Sequence, residues 1–382
     1  MFVIFFLIIL AHKFAVYYIF CTFEKLYADM KQFFLKIASL LYGFVIRTRH
    51  WLFDIGALRS RQFDIPIICV GNITVGGTGK TPIVELLVSH FSKSHKVAVI
   101  SRGYGRKTKG YLEVESDASY LDVGDEPLQI KRKFPEVPIV VCERRVEGIE
   151  RLCEEFPDVN LVIMDDGFQH RHIRPFINII MVDSTRPVQE DHLLPYGQLR
   201  DSVSSLHRAH YFIVTKCSDN MTPITMRLHN KVLVSKPSQK IFFTRVRSAG
   251  LYTVFGDEPV TLERGTQVVA MSGIGNSEVF NSNLAQTYDV MDSLDFEDHH
   301  TYRLSDLALM RKVLQTYPEA YIVTTEKDAV KLCNSSKITD DVRARLLYER
   351  MSTNFICDSG ADFLKKISTD ISEYQTKGRV RF

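Results

Sequence analysis

Short apolar runs alternate with longer amphipathic stretches through the middle of the chain, and this order predicts a parallel β-sheet with helices on both faces. The predicted strands of this part are Pro66–Val70, Val97–Ile100, Val137–Val141, Leu161–Met164, Ile177–Val182 and Tyr211–Val214. Further apolar runs follow at Ile241–Thr244, Val268–Met271 and Tyr321–Thr324. We therefore predict an α/β fold with a mainly parallel sheet, followed by a smaller C-terminal α/β domain.

The N-terminal residues differ from this pattern, because their apolar positions are not confined to short runs. Residues 2–10 and 14–21 are apolar, and Lys13 lies between them. A helix that crosses a bilayer needs about 20 apolar residues, and a lysine at its centre costs roughly 2.5–3.5 kcal/mol. We interpret residues 1–29 as a hydrophobic extension, which is either a membrane segment or the result of a start placed upstream of Met30.

Residues 30–60 combine apolar positions at helical spacing with basic side chains. The apolar positions are Phe33, Phe34, Ile37, Leu40, Leu41, Phe44 and Val45, and the basic ones are Lys31, Lys36, Arg47 and Arg49. An amphipathic helix of this kind either packs on the protein's own core or lies in the headgroup layer of a membrane. Because it follows a hydrophobic extension, we favour a membrane-associated helix.

Length and composition restrict the class of protein. A chain of 382 residues suggests about two domains, which we place at 61–230 for the nucleotide-binding core and 231–382 for the C-terminal part. The net charge of +3 is too small to indicate a nucleic-acid partner. Seven cysteines without a C-x-x-C spacing indicate reduced thiols in a cytoplasmic compartment. A single hydrophobic stretch excludes a transporter.

The segment after the first predicted strand has the properties of a phosphate-binding loop. Its sequence from Gly71 to Pro82 is GNITVGGTGKTP, and a helical pattern follows it. Glycines let backbone N–H groups surround an anion, Lys80 reaches the β- and γ-phosphates, and Thr81 ligates Mg²⁺. The usual pattern has glycine where this chain has Thr74. The loop therefore predicts nucleotide binding in a sheet of the P-loop NTPase type, but it does not identify a reaction.

Several clusters of polar residues are candidates for the chemistry. Asp165 and Asp166 follow an apolar strand, as Walker-B carboxylates that help to hold Mg²⁺ do, although a helix cap or turn is the alternative. Asp125 and Glu126 precede a predicted helix, where either is a base, a metal partner or a residue that favours the helix N-terminus. The segment 298–300 adds two imidazoles, and its spacing matches no standard zinc site.

Eight motifs occur in an order that resembles the tetraacyldisaccharide 4'-kinase family. They are GNITVGGTGKTP, SRGYGR, GDEP, DDGFQHR, LLPYGQLR, GIGN, FEDHHTY and TTEKDAVKL. The resemblance extends from about residue 35 to near the C-terminus. It implies transfer of the γ-phosphate of ATP, with Mg²⁺, to the 4'-hydroxyl of a lipid A disaccharide 1-phosphate precursor. It also implies a location at the cytoplasmic face of the inner membrane, and we expect the protein to be a monomer. The family's loop is similar to T-x-G-G-x-G-K-T, so Thr74 fits it.

The resemblance also implies roles for individual residues. The ATP loop corresponds to Thr74, Val75, Gly76, Gly77, Thr78, Gly79, Lys80 and Thr81. Asp125 matches the family's proposed base, paired with His299. The expected surroundings of Mg²⁺ are Thr81, Glu126, Asp165 and Asp166. Arg145 and Arg200 resemble positions that hold the phosphate of the acceptor lipid, because a guanidinium group matches a phosphate edge.

Two other functions compete with lipid phosphorylation. One is a membrane-associated GTPase or ATPase switch, which requires an N/T-K-x-D motif for guanine. Residues 215–219 come near this motif, but Asp219 is one residue too late. The other is a nucleotide-binding scaffold without activity, which distant positions of Asp125 or His299 from the phosphate loop would favour.

Overall fold

The computed structural model describes residues 29–275, 277–298, 300–335 and 337–379. Its strands form a single 13-stranded sheet. The strands are β1 Ile67–Gly71, β2 Val97–Ser101, β3 Leu112–Glu113, β4 Ile139–Val141, β5 Leu161–Asp165, β6 Ile177–Asp183, β7 Tyr211–Thr215, β8 Lys240–Thr253, β9 Pro259–Val260, β10 Gln267–Ser272, β11 Asp289–Asp295, β12 Tyr321–Thr325 and β13 Leu346–Phe355.

Helices cover both faces of the sheet, and two short 3₁₀ helices at Val203–Arg208 and Ile356–Asp358 complete the secondary structure of the described residues. Helix α1 spans residues 29–54. The remaining α-helices are α2 Lys80–Phe91, α3 Tyr120–Val123, α4 Asp125–Lys133, α5 Arg145–Glu155, α6 Pro223–Leu233, α7 Ser277–Leu284, α8 Leu304–Thr316, α9 Glu326–Leu332, α10 Asp340–Arg343 and α11 Gly360–Arg379.

The strand order places the phosphate loop at the centre of a parallel block. Strand β1 lies between β5 and β6, and the block continues through β2 and β4 on one side and β7 and β8 on the other. All pairs within this block are parallel. Parallel neighbours need crossover connections, so helices cover both faces. The predicted α/β fold with a mainly parallel sheet is confirmed.

Alternation along β1 explains why both faces are buried. Ile68 and Val70 pack on one face with α2 and α11, whereas Ile67 and Cys69 pack on the other with α5. Successive side chains of a strand point to opposite faces, so a strand covered on both sides must be apolar throughout. All five residues of β1 are buried. This burial holds the end of β1 firmly beneath the loop that follows.

The long strand β8 joins the parallel block to the C-terminal strands. Its residues 240–243 pair with β7 in parallel, and residues 244–253 pair with β13 in the antiparallel direction. Strand β13 leads through β12 to β10 and β11, all of them parallel to one another. The predicted domain boundary at 230/231 lies in α6, and the sheet continues past it without a break. That boundary stays a prediction.

Helix α1 leaves its apolar face uncovered and attaches to the rest of the protein through polar contacts. The seven apolar side chains named above for residues 33–45 are 41–75% exposed. On the opposite side, Ser39 Oγ donates to the Leu193 carbonyl at 2.7 Å, and Tyr42 Oη donates to the Arg200 carbonyl at 3.1 Å. Residues 1–28 of the predicted hydrophobic extension lie outside the described residues. Within the described ranges, no helix is both long enough and apolar enough to span a membrane.

Candidate active site

The phosphate loop connects β1 to α2 at the carboxyl edge of the sheet. Gly76 and Gly79 have φ angles of 93° and 79°, a region that glycine adopts without steric cost. Below the loop, Asn72 Nδ2 donates to Thr78 Oγ1 at 2.8 Å, and Thr215 Oγ1 donates to the Thr78 carbonyl at 3.0 Å. These buried bonds fix the turn just before the start of α2. Helix α2 begins directly after the loop, so its positive N-terminal end faces the loop. No acidic residue in the first turn offsets this positive charge.

The LLPYGQLR segment braces the phosphate loop from the side. The backbone N–H of Val75 donates to the Gln198 carbonyl at 2.8 Å, and Thr74 forms a bridge with Leu199. Arg186 Nη1 donates to Gln198 Oε1 at 2.8 Å and lies near Gly76. The segment that carries Arg200 is thus in direct contact with the loop, and α1 holds the same segment from the other side.

Asp166 lies at the centre of a cluster of basic side chains. Lys80 Nζ is 3.6 Å from Asp166 Oδ1, and Arg200 donates through both of its terminal nitrogens to the two carboxylate oxygens. Arg200 also donates to Asn72 Oδ1. Burial acts to raise the pKa of Asp166, but the hydrogen bond from Arg200 and the charge of Lys80 outweigh it and hold this pKa well below its usual range. Asp166 is therefore ionised at neutral pH.

The pKa of Asp165 is shifted in the opposite direction from that of Asp166. Its side chain is buried, Ser101 Oγ donates to Oδ2 at 3.1 Å, and Oδ1 has no hydrogen-bond partner among the described atoms. Burial, followed by the negative charges of Glu126 and Asp166, raises its pKa to about 7. Burial also raises the pKa of Glu126, although the charge of Lys80 opposes this shift. The charge of Lys80 acts on both carboxyl groups but does not offset their burial, and a divalent cation would supply further positive charge.

The protein ligands alone do not complete a metal site. Among the described residues, no group of three or more His, Cys, Asp or Glu side chains converges closely enough to hold a metal ion. Magnesium in nucleotide-binding enzymes is commonly held by one or two carboxylates together with phosphate oxygens and water. The uncompensated Oδ1 of Asp165 fits a site of that kind, with the phosphates as the other ligands.

Asp125 begins α4 beside the SRGYGR loop. Gly124, which precedes it, has a φ angle of 95°, and a Cβ there would lie 3.0 Å from Gly103 Cα, so only glycine allows the two segments to approach. The Asp125 side chain is buried, and its Oδ1 accepts from the Glu126 N–H at 2.9 Å. Lys327 Nζ lies 3.7 Å from Asp125 Oδ2. A buried carboxylate therefore stands next to the predicted metal ligand Glu126.

His299, the predicted partner of Asp125, lies outside the described residues, and its role stays a prediction. Its neighbour Asp298 is described, and Lys327 Nζ lies 3.3 Å from Asp298 Oδ1. Lys327 therefore contacts both Asp125 and the residue before His299. Reasoning from sequence did not single out Lys327, although it lies in the TTEKDAVKL motif directly after strand β12. The signal that could have identified Lys327 is the position of a charged residue just after a predicted strand.

The two predicted lipid-phosphate ligands face the aspartate pair. Arg145 is buried at the start of α5, where its Nη1 donates to the Cys142 carbonyl at 3.0 Å. Burial lowers its pKa, and the charges of Asp165 and Asp166 oppose that shift. Arg200 is paired with Asp166, as described above. In this conformation Arg200 pairs with Asp166, whereas Arg145 donates to a backbone carbonyl and is only influenced by the charges of the two aspartates. The contact of either arginine with an acceptor phosphate stays a prediction.

The segment that came near a guanine-recognition motif is engaged in other contacts. Lys216 Nζ pairs with Asp183 at 2.7 Å, and Asp219 pairs with Arg245 and Arg247. Asp219 thus serves as the ion-pair partner of two arginines on β8. This arrangement does not favour the switch.

The parallel sheet, the loop between β1 and α2, and the two carboxylates at the end of β5 define a P-loop nucleotide-binding protein. A model of the tetraacyldisaccharide-1-P 4'-kinase family matches residues 31–369. The chain belongs to this family, as the order of its motifs predicts.

Curated relatives and a solved structure agree with this assignment. The chain is 38% identical over 347 residues to the tetraacyldisaccharide 4'-kinase of Phocaeicola vulgatus, which covers 89% of this chain and 94% of the relative. It is 37% identical over 341 residues to that of Porphyromonas gingivalis strain W83, with 87% and 95% covered. The crystal structure of LpxK from Aquifex aeolicus in complex with ATP matches with a TM-score of 0.68 and 26% identity, covering 89% of this chain and 99% of that one.

Proposed function

We propose that this protein transfers the γ-phosphate of ATP to the 4'-hydroxyl of a tetraacyldisaccharide 1-phosphate, a precursor of lipid A. The observation that carries the proposal is the position of Glu126. The charges of Lys80, Asp125 and Asp166 all act on its carboxyl group, so the lysine of the phosphate loop and the candidate base lie near the same carboxyl group. A scaffold without activity has no need for that convergence. Membership of the kinase family supports the same acceptor.

On this proposal the phosphate loop, residues 74–81, binds the phosphates of ATP through its backbone N–H groups. Lys80 neutralises charge that develops on the transferred group. Arg145 and Arg200 hold the phosphate of the acceptor lipid, and Arg200 exchanges part of its pairing with Asp166 for that contact. Arginine can make such an exchange because its planar guanidinium group binds carboxylates and phosphates with the same geometry.

The residues present are suited to Mg²⁺, which Thr81, Glu126, Asp165 and Asp166 are proposed to hold together with the phosphates. The ion, when bound, neutralises charge on the phosphate oxygens. Asp166, kept ionised by Lys80 and Arg200, accepts hydrogen bonds or a ligand contact throughout the neutral range. Asp165 gains its full negative charge once a cation or a higher pH removes its proton.

In the transfer step, the Asp125 carboxylate accepts the proton of the 4'-hydroxyl group. The 4'-hydroxyl oxygen forms a bond to the γ-phosphorus while the bond from that phosphorus to the bridging oxygen of ADP breaks. The hydroxyl proton passes to the Asp125 carboxylate, which the proposed partner His299 orients. The products are ADP, the 4'-phosphorylated lipid and a protonated Asp125 that later releases its proton to solvent.

The apolar face of α1 supports a location at the cytoplasmic face of the inner membrane. Exposed phenylalanine and leucine side chains on a basic helix match the chemistry of a membrane interface. The acyl chains of the substrate can then stay in the bilayer while its sugar enters the cleft. Not every basic group faces lipid, because Lys36 lies 5.2 Å from the centre of the Tyr196 ring and Arg49 donates to the Gln169 carbonyl. We propose that the protein acts as a monomer.

The decisive experiment follows radiolabel from γ-³²P-ATP into a tetraacyldisaccharide 1-phosphate in detergent micelles with Mg²⁺. We expect a labelled lipid, no transfer when Mg²⁺ is chelated, and a strong preference for ATP over GTP. Failure to label the lipid, combined with tight GTP binding and slow hydrolysis, would favour the switch instead.

Membrane association has a separate test in co-sedimentation with vesicles that contain phosphatidylglycerol. Leu40→Glu places a charge at a position that is 75% exposed on α1. We expect vesicle binding to fall about tenfold. The variant loses an apolar side chain that the bound protein would bury in the lipid, and it adds negative charge. Leu304→Glu, which changes a 63% exposed residue on α8, is the matched control and should bind as the unmodified protein does.

A further inference from the structure

We propose that Arg186 is a phosphate-binding residue of the ATP site: its guanidinium group contacts the terminal phosphate of the nucleotide beside Gly76. The inference rests on the proposed function, because it adds a residue to the ATP side of the same site. The family resemblance implied arginines for the acceptor lipid but none for ATP.

Arg186 reaches the phosphate loop at Gly76. Its Nη1 lies 3.3 Å from the point that a Cβ on Gly76 would occupy. Because Gly76 has no side chain and a φ angle of 93°, the guanidinium group lies close to the backbone of the loop. A loop of this type presents its backbone N–H groups to the phosphates of a nucleotide. A cation at Gly76 therefore lies next to the place where these phosphates bind.

The direction of approach indicates which phosphate Arg186 contacts. The backbone of a phosphate loop surrounds the inner phosphates of the nucleotide, and the N-terminal end of the following helix faces them. Arg186 comes from the segment after β6 and approaches the loop from outside. A side chain in that position meets the phosphate that extends beyond the loop, which is the terminal one. The planar guanidinium group matches the oxygen atoms of a phosphate.

The side chain of Arg186 is not neutralised by a carboxylate. Among the described residues, its hydrogen bond is the one from Nη1 to Gln198 Oε1 at 2.8 Å, and it forms no ion pair. Lys80 and Arg200 differ, because both pair with Asp166. The positive charge of Arg186 and its remaining N–H groups are therefore available to an anionic ligand.

Gln198 and the turn after β6 hold Arg186 in this position. The backbone N–H of Arg186 donates to the Asp183 carbonyl at 3.1 Å, and Thr185 Oγ1 donates to Asp183 Oδ1 at 2.6 Å. Gln198 accepts from the Val75 N–H through its carbonyl and from Arg186 through its side chain. One residue thus supports the phosphate loop and orients the arginine beside it.

The test measures binding of β,γ-methylene-ATP and of ADP by isothermal titration calorimetry, with Mg²⁺ and without lipid. Arg186→Met should raise the dissociation constant of the ATP analogue about tenfold or more and that of ADP less than about twofold, because ADP lacks the terminal phosphate. Arg186→Lys should restore part of the affinity, since it keeps the charge but not the planar group. Arg264→Met, which changes an exposed arginine just before β10, is the matched control and should bind both nucleotides normally.

A variant of Gln198 tests the support of the arginine. Gln198→Leu removes the oxygen that accepts from Arg186 and keeps the carbonyl that accepts from Val75. We expect the dissociation constant of the ATP analogue to rise about two- to threefold, because Arg186 loses its orientation but keeps its charge. The dissociation constant of ADP should stay unchanged.

Two results would overturn the inference. One is an unchanged affinity of Arg186→Met for the ATP analogue, and the other is an equal loss of affinity for ADP, which would place the arginine at the inner phosphates. If Arg186→Met does not fold, as judged by circular dichroism, Arg186→Gln carries the same expectation. These measurements need no acceptor lipid, so they are independent of the proposed function, which stands or falls with labelling of the lipid by the unmodified protein.

Discussion

The two sides of the cleft are built in different ways. The frame of the donor side, residues 72–81, is one contiguous segment braced by backbone and neutral hydrogen bonds, and the ion pairs of Asp166 lie beside that frame. The acceptor side, Asp125 with Asp298 and Lys327, comes from three separate places and depends on ion pairs. Neutral bonds change little with pH, whereas ion pairs depend on it directly. We therefore expect variants of the two sides to differ in kind.

The largest effect should come from the donor side. Lys80→Met removes the cation next to Asp166 that we place on the transferred phosphate, and kcat should fall by about 10³-fold. The KM for ATP should rise as well, because the same charge contributes to nucleotide binding. Lys93→Met, an exposed lysine just after α2, is the control in the lipid-labelling assay. A variant at Lys80 with normal turnover would remove the donor side from the mechanism.

Variants of the acceptor side should separate turnover from nucleotide binding. Asp125→Asn keeps the shape of the side chain but cannot accept the proton, so kcat should fall by about 10²-fold or more. The KM for ATP should stay within about twofold, and His299→Ala should behave in the same way. Asp122→Asn, an exposed carboxylate three residues earlier, provides the control. Unchanged turnover in Asp125→Asn would defeat the assignment of the base.

A stability measurement tests the charge imbalance at Asp165. Its pKa is raised to about 7 from an ordinary value of 3.8, so the folded protein holds a proton that the unfolded chain releases between these values. The free energy of unfolding should therefore decrease as pH rises from 5 to 7, by about 2 kcal/mol. Asp165→Asn should remove this part of the slope. Urea unfolding at both pH values, without Mg²⁺ and nucleotide, measures the difference.

Asp165→Asn should also be close to inactive, because the amide cannot supply the negative charge. A variant that is more stable at neutral pH and yet inactive would show that Asp165 is kept for function. If the pH dependence of stability is the same in the variant, Asp165 is already ionised in the folded state.

The smallest effect should come from the contact between α1 and the segment that braces the donor side. Tyr42→Phe removes the hydrogen bond to the Arg200 carbonyl, and one such bond contributes about 0.5–1.5 kcal/mol. We expect the KM for ATP to rise two- to tenfold with little change in kcat. Tyr317→Phe, at the end of α8, is the control. Equal KM values for Tyr42→Phe and the unmodified protein would argue that α1 and the phosphate loop act independently.

Sequence reasoning was most successful where function depends on neighbouring residues. The apolar runs predicted the strands, and the glycines with Lys80 predicted the loop between β1 and α2. It was least successful for side chains whose partners lie far away. Its placement of Arg145 and Arg200 at the acceptor phosphate stays a prediction. It did not foresee the ion pair between Arg200 and Asp166 or the effect of both aspartate charges on Arg145, which depend on how α5 and the 193–200 segment approach β5. It did not single out Lys327.

Consecutive residues were enough to predict the parallel sheet, the phosphate loop and the family, because short-range backbone geometry and motif order can be read along the chain. Which charges meet at the site depends instead on how distant segments pack together. Asp125, Asp298 and Lys327 come together because the order of strands in the sheet brings α4 and α9 side by side, and no local pattern records that order. The orientation of α1 also depends on distant segments. Its apolar face stays exposed because its opposite face forms hydrogen bonds to the carbonyl groups of Leu193 and Arg200.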